Sequence, residues 1–416
     1  MEKTVVDKKH FFWNMVGSVC YSGSSFYYLM IVTRICGVEE AGIYSLAFAT
    51  AQLLLTIGRF GIRTYQATDV RRQYQFEEYG LSRVITCVAM IVGAVLYVVI
   101  MRFHSRKAWM CVWVAAFKMT DAIEDVFHGE LQRRFRVDLM GKLLAFRNLL
   151  SCAVFTGALV ITKDILVTCA ISAVGSILIC CLANGLALLR VGSERCVHQK
   201  SQVFELLKIC APIFVSTFLS LYLYNVPKYA IDAYLETEIQ TYYGILFMPS
   251  FVITLFSEII TKPLMTTMTI EWDEDLPGFC AHVWKICGLI VCGTVGIVLG
   301  GHFIGRYLLE LIYGVELSPF KIEFIVLLAG GGASASAYVL YNLLIAIRHE
   351  KCIIVTYGVM ACFMTGIIFV LVKQFGMLGA SIGYLLSCIG LCLVFATILV
   401  VIVREKQKEK AFCTRY

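Results

Sequence analysis

The hydrophobic positions of this chain form about twelve long stretches, most of them roughly twenty residues long, with short polar segments between them. About 20 apolar residues cross the hydrocarbon core of a bilayer as a helix. Only helices and closed barrels satisfy their backbone groups in lipid, and these stretches are too long for barrel strands. The pattern therefore predicts an all-α integral membrane protein. We predict transmembrane helices at residues 11–35, 40–63, 81–101, 108–128, 142–162, 164–190, 203–226, 241–268, 280–300, 321–347, 352–373 and 377–403.

The polar segment 191–202 lies near the middle of the 416 residues and leaves six predicted helices on each side. Transporters are commonly built from two such halves, with the substrate site where the repeats meet. We therefore predict two six-helix bundles around a central cavity. Residues 1–190 would form the N-terminal bundle, 191–202 a cytoplasmic linker, and 203–416 the C-terminal bundle with a basic cytoplasmic tail.

The formal net charge of +7 follows the membrane topology and gives no reason to expect a nucleic-acid partner. Lysine and arginine are more than twice as numerous in the segments on one side of the predicted helices as on the other, and cytoplasmic loops carry such an excess. Both termini are predicted to be cytoplasmic. The segment from Arg102 to Lys107 is the clear exception to this bias.

Nothing in the sequence indicates an enzyme or a cofactor. The 18 cysteines are scattered through the apolar stretches without a CxxC motif, as expected of small residues at helix contacts. No Walker motif or HExxH pair is present. Asp273-Glu274-Asp275 matches the DxD pattern of metal-dependent sugar transferases, but it is better interpreted as a solvated acidic loop.

The fourth predicted helix carries several charges at membrane depth. Lys118, Asp121, Asp125 and His128 share one of its faces, and Glu124 is adjacent. A charge at mid-bilayer costs about 2.5–3.5 kcal/mol on insertion scales, so such residues normally face the protein interior and serve a function. The alternative is that the helix ends early, which would put Asp125 and His128 at the membrane interface.

Cations recur in the other predicted helices. Arginine suits phosphate through its bidentate donors, so an internal cationic cavity would attract an anion. The alternative is that these side chains reach the interface along their apolar stems. The candidate substrate-binding residues are Arg34, Arg59, Lys118, Arg147, Lys228 and Lys262. Buried carboxylates are suited to carry a coupling proton or sodium ion, and the candidates are Asp121, Glu124, Asp125 and Glu258.

Several segments also carry a family resemblance. They are Asn14, Thr33-Arg34-Ile-Cys-Gly37-Val-Glu-Glu-Ala-Gly42-Ile-Tyr-Ser45, the turn Gly58–Gly61, Asn225–Lys228 and Leu343–Lys351. With the twelve helices and the central polar segment, they resemble the opening and later motifs of Wzx-type polysaccharide flippases. These flippases belong to the multidrug/oligosaccharidyl-lipid/polysaccharide exporter superfamily.

This resemblance implies a flippase of the bacterial inner membrane. It would move undecaprenyl-diphosphate-linked oligosaccharides to the outer leaflet by alternating access, with ion coupling, for lipopolysaccharide or another surface glycan. Arg34, Arg59 and Lys228 would then contact the diphosphate or sugar. Membrane lipid, a polysaccharide polymerase and glycosyltransferases would be the partners. The alternatives are a drug/cation antiporter of the same superfamily and a membrane polysaccharide polymerase.

Overall fold

The computed structural model describes residues 2–69, 73–191, 202–347 and 349–413, except for the side chains of 2–11, 190–191, 350, 409–413 and several positions within 251–267. The described residues are helical apart from short connections, which confirms the all-α class. Residues 301–305 form a π-helical turn and 318–320 a 3₁₀ turn. The α-helices are α1 Glu2–Cys36, α2 Val38–Arg59, α3 Ile62–Thr68, α4 Phe76–Ile100, α5 Ser105–Arg133, α6 Val137–Thr162, α7 Ile165–Val191, α8 Val203–Tyr234, α9 Thr237–Glu274, α10 Leu276–Gly300, α11 Arg306–Tyr313, α12 Lys321–Ala346 and α13 Glu350–Cys413.

The second predicted helix is shorter than the hydrophobic pattern indicated. It ends at Arg59 and does not reach residue 63. Phe60 and Gly61 take left-handed backbone angles, with φ of 47° and 70°, which interrupt the helix before the short α3 begins. A right-handed helix cannot continue through two consecutive left-handed residues.

The described residues contain fewer membrane-length segments than the twelve helices predicted from the sequence. Nine helical segments among the described residues are long and apolar enough to cross a membrane. The last of these, Lys351–Lys408, contains two predicted helices, and Gly376 marks their junction with φ 58° and ψ −136°. Helix α5 is absent from the nine although its 29 residues are long enough, because its middle carries charged residues. The total of twelve crossings stays a prediction.

The chain forms two compact units, residues 1–218 and 219–416. In the first unit, α1 packs against α6, and α5 packs against α2, α4 and α7. In the second, α12 packs against α9, α10 and α13. Residues 192–201 of the predicted linker lie outside the described residues, and the predicted domain limits stay predictions.

A glycine contact allows α1 and α6 to approach closely. A Cβ atom on Gly141 of α6 would lie 2.2 Å from the Trp13 carbonyl oxygen of α1, and one on Gly17 would lie 2.6 Å from the Gly141 carbonyl oxygen. Small residues at such crossings permit close backbone packing in membranes. The obstacle is backbone on both sides, so side-chain movement cannot relieve it.

We expect Gly141→Ala to lower the free energy of unfolding by about 1–3 kcal/mol, because α1 and α6 must move apart. The loss is measured as a lower Tm of the purified protein in detergent. Gly157→Ala is the matched control on the same helix, because its Cβ meets nothing within 4 Å and alanine favours helix. Equal Tm values for the two variants would contradict the close contact.

Candidate functional site

Helix α5 carries a buried row of charged side chains in the first unit. Lys118, Asp121, Glu124, Asp125 and His128 are all less than one-tenth exposed. Helix α5 continues to Arg133, so it does not end at Asp125 or His128, and both side chains are buried in the protein. These residues recur every three or four positions, so the row faces the neighbouring helices.

Arg147 of α6 neutralises two carboxylates of this row. Its Nη2 lies 2.7 Å from Asp121 Oδ1 and 2.8 Å from Glu124 Oε2, and its Nε donates to the same Glu124 oxygen at 2.9 Å. Lys118 forms a second ion pair with Asp121 one turn away on α5. All four side chains are at most 7% exposed, so water contributes little to their solvation, and the pairing compensates for burial.

Asp125 joins the same row to α3 and α4. It accepts from Arg83 Nη2 at 3.0 Å and from Arg63 Nη1 at 3.4 Å. Arg83 also donates to the carbonyl oxygen of Gly58, which accepts from Thr86 Oγ1 at 2.8 Å as well. That carbonyl belongs to the last turn of α2, where helix carbonyls lack intrahelical donors. Arg83 therefore links the end of α2 to α5.

Arg59 completes the cluster from the last residue of α2. Its Nη2 donates to Tyr21 Oη at 3.3 Å, and that hydroxyl donates to Asp121 Oδ2 at 3.2 Å. Among the described side chains, no carboxylate lies within 4 Å of Arg59, and its Nε is buried without a hydrogen-bond partner. This buried donor can therefore form a further hydrogen bond to an anionic group.

The cluster as a whole carries excess positive charge. Its five cations, Arg59, Arg63, Arg83, Lys118 and Arg147, surround three carboxylates, which gives a formal charge of +2 with His128 neutral. Low dielectric strengthens the attraction of such a cluster for an anion. The arrangement favours binding a negatively charged group near Arg59, where the positive charge is least compensated.

Lys228 is a separate cation in the second unit. It lies on α8 with its Nζ 5.5 Å from the centroid of the Phe247 ring. Phe247 packs edge-on against Tyr384 at 5.0 Å, and Tyr243 lies parallel to Phe247 at 6.0 Å. Within the described part of the chain, no carboxylate lies within ion-pair distance of Lys228. Lys228 therefore lies in an aromatic environment without a compensating anion.

Further polar groups near this environment lack partners. The Tyr243 hydroxyl and both amide atoms of the buried Gln240 are unpaired among the described residues. Both residues lie on the first turns of α9, three positions apart, on one helix face. Gln240 and Tyr243 are 2% and 0% exposed, so these unpaired polar groups lie inside the second unit.

The structure groups only some of the residues predicted from the sequence. It brings Arg59, Lys118, Asp121, Glu124, Asp125 and Arg147 together. Arg34 is exposed in the last turn of α1, about 20 Å along the helix from Tyr21 at 1.5 Å per residue. The side chains of Glu258 and Lys262 lie outside the described residues.

Sequence reasoning missed the role of Arg83. Arg83 stands at the start of the third predicted helix, where a basic residue ordinarily faces the cytoplasm, yet it is 3% exposed and pairs with Asp125. Its spacing was the available signal, because Arg83 shares a helix face with the buried residues Thr86, Cys87 and Met90.

Comparison with known proteins agrees with this architecture. A family model described as polysaccharide biosynthesis protein matches residues 8–268. No curated protein matches the chain. Solved structures show the same fold at low identity. An inward-facing multidrug resistance MATE family transporter of the MOP superfamily has a TM-score of 0.71 at 10% identity, over 95% of this chain and 96% of that one.

Two further solved structures are similar over almost the full length. The Vibrio cholerae MATE transporter VcmN in its bent form has a TM-score of 0.62 at 12% identity, over 97% of this chain and 98% of that one. A MOP superfamily transporter from Pyrococcus furiosus, described as having a binding pocket of reversed polarity, has a TM-score of 0.58 at 10% identity. It covers 96% of this chain and 95% of its own.

Proposed function

Because the chain belongs to the polysaccharide biosynthesis protein family, we propose that it is a membrane flippase for undecaprenyl-diphosphate-linked oligosaccharides. The family resemblance predicted from the sequence is confirmed, and the fold is that of MOP-superfamily transporters. In the proposed reaction, the lipid-linked unit moves from the cytoplasmic to the outer leaflet by alternating access. No covalent bond forms or breaks, so the protein is not an enzyme in this proposal.

The observation that carries the proposal is the uncompensated charge of Arg59. A diphosphate presents oxygens that match the planar guanidinium donors, and Arg59 has an unpaired Nε in a cluster of net positive charge. Lys118 and Arg147 are engaged by Asp121 and Glu124, so we assign them to the field around the diphosphate. Lys228 and its aromatic neighbours supply a second cationic surface.

The membrane arrangement is part of this proposal. The family resemblance implies twelve crossings in two six-helix bundles around a central cavity in a bacterial inner membrane, and the excess of basic residues in the loops predicts that both termini are cytoplasmic. A polysaccharide polymerase and glycosyltransferases are the expected partners. The prenyl tail stays in lipid, because burial inside protein gains little over the bilayer.

Glu124 is the carboxylate best placed for ion coupling. Asp121 and Asp125 each form ion pairs with two different cations. By contrast, Glu124 Oε1 has no hydrogen-bond partner among the described residues and lies 3.7 Å from His128 Nε2. A proton shared by these two atoms would satisfy both. Export slowed by a protonophore in the wild-type chain but not in Glu124→Gln would support this assignment, and insensitivity of the wild type would oppose it.

We expect depletion of the protein in its host to raise the lipid-linked precursor several-fold while the surface glycan falls. The precursor should remain in the cytoplasmic leaflet, inaccessible to a lectin added to intact spheroplasts. Restoring the chain from a plasmid controls for loss of a neighbouring gene. Normal surface glycan with increased sensitivity to cationic drugs would instead favour the antiporter, which the net positive charge of the cluster disfavours. Accumulation of the precursor in the outer leaflet would favour a polymerase.

A further inference from the structure

A cavity of about 200 Å³ lies in the second unit, and Lys228 is not among the residues that line it. Its lining includes the π-helical turn, through His302 and Phe303, and the start of α11, through Arg306 and Tyr307. Lys321, the first residue of α12, completes the basic side. We call it the His302–Lys321 cavity. It combines two permanent cations with a histidine and aromatic rings.

The cavity retains unpaired positive charge. Arg306 Nη1 donates to Glu310 Oε1 at 3.2 Å and to Ser318 Oγ at 2.7 Å. The same Glu310 oxygen accepts from the Leu317 backbone N–H at 3.0 Å. Glu310 is therefore engaged by Arg306 and the loop, and among the described side chains Lys321 has no carboxylate within 4 Å. The net charge of the lining attracts an anion.

The π-helical turn forms part of the cavity wall. Such turns widen the backbone and frequently occur at functional sites. Two glycines bring this turn against α12, because a Cβ on Gly301 would lie 2.4 Å from Leu328 Cδ1 and one on Gly305 would lie 3.3 Å from Phe324 Cζ. Arg306 is fixed by its hydrogen bonds and 7% exposed, so the cavity has a preformed donor in its wall.

The length of helix between Leu276 and the cavity matches the thickness of a bilayer with its headgroups. Helix α10 begins at Leu276, just after the polar end of α9. There the Lys406 Nζ donates to the Trp272 carbonyl oxygen at 2.6 Å. At 1.5 Å per residue, His302 is about 39 Å and Arg306 about 45 Å along the helix from Leu276. A bilayer measures about 30 Å across its hydrocarbon and about 40–45 Å with its headgroups. With Leu276 at one interface, the cavity reaches the other, and a tilt of about 20° shortens the span only slightly.

We propose that the His302–Lys321 cavity binds a phosphate group, presented by an anionic phospholipid at the membrane face opposite Lys406. Neighbouring side chains suit the acyl chains of such a lipid, because Phe303, Ile304 and Leu308 are exposed on the same segment. The site contains none of the residues assigned to the transported substrate, so this inference is independent of the proposed flippase function.

The test measures Tm for the purified chain in nanodiscs of phosphatidylglycerol or phosphatidylcholine. We expect phosphatidylglycerol to raise the wild-type Tm by about 2–4 °C, since a ligand of the folded state stabilises it. Lys321→Gln should lose at least half of that rise, and Lys321→Arg should retain most of it. The matched control is Lys373→Gln, which removes an exposed lysine near the far end of the first half of α13 and outside the cavity.

Free phosphate distinguishes the two sources of this chemistry. A rise that depends on Lys321 and appears with inorganic phosphate in phosphatidylcholine would support the site with free phosphate as its ligand. A rise confined to phosphatidylglycerol would support the lipid. Equal responses of wild type, Lys321→Gln and Lys373→Gln would show only general surface charge and overturn the proposal, as would the absence of any rise. None of these outcomes bears on glycan export.

Discussion

Arg147→Gln should lower the free energy of unfolding by about 3–5 kcal/mol, the usual cost of removing one partner from a buried ion pair. Arg147 is 3% exposed and contacts Asp121 and Glu124. Asp121 keeps Lys118 after the change, so Glu124 becomes the uncompensated charge. We expect a large drop in Tm in detergent and poor accumulation in the membrane.

A second substitution identifies the cause. Arg147→Gln combined with Glu124→Gln removes both charges, so it should recover much of the lost Tm. The surface control is Arg106→Gln, whose side chain is 47% exposed and pairs with Glu40 at 2.8 Å. Exposed pairs of this kind contribute about 0–1 kcal/mol. A Tm for Arg147→Gln as high as that of Arg106→Gln would contradict the buried network.

The location of the charged row on α5 could be predicted from the sequence. The spacing of Lys118, Asp121 and Asp125 fixed their common face, and the cost of exposing charge to lipid required that this face be buried. The extent of the helix was harder to predict. Hydropathy gave 128 as its end because Glu130 and Arg133 are charged. In the structure Glu130 forms ion pairs with Arg133 and Arg134 at 2.7 and 2.6 Å, and the helix continues.

The partners of that row could not be predicted, because they depend on which helices become neighbours. Arg83 resembles an ordinary basic residue at a cytoplasmic helix end, and only the packing of α4 against α2 and α5 makes it a buried ligand of Asp125. Arg34 shows the converse. Its position at the end of an apolar helix resembles that of Arg59. Yet Arg34 lies at the end of α1, where α2 begins, whereas Arg59 lies at the opposite end of α2 in the cluster.

Arg59→Gln should reduce glycan export at least tenfold, while the protein still inserts into the membrane and accumulates there. The expectation differs from that for Arg147 because no carboxylate lies within 4 Å of Arg59 among the described side chains, so its loss strands no opposite charge. Its hydrogen bond to Tyr21 and its place in the last turn of α2 stabilise the fold only modestly. Surface glycan is measured against protein level and Tm.

The nature of the substitution separates recognition of an anion from a structural role. Arg59→Lys keeps the charge but loses the bidentate donors, so export should fall partially. Lys228→Gln tests the second cation in the same way, and Arg404→Gln, an exposed residue of the α13 tail, should export normally.

A role of Arg59 confined to ending α2 would make Tm and export fall together, because the helix end and the dipole interaction would be lost. Recognition of a diphosphate predicts the opposite pattern, in which Tm is nearly unchanged and the lipid-linked precursor accumulates in the cytoplasmic leaflet. Normal surface glycan from both glutamine variants at unchanged protein level would instead identify Arg59 and Lys228 as interfacial anchors whose charge stabilises their depth in the membrane. The charge of the cluster would then serve the fold alone.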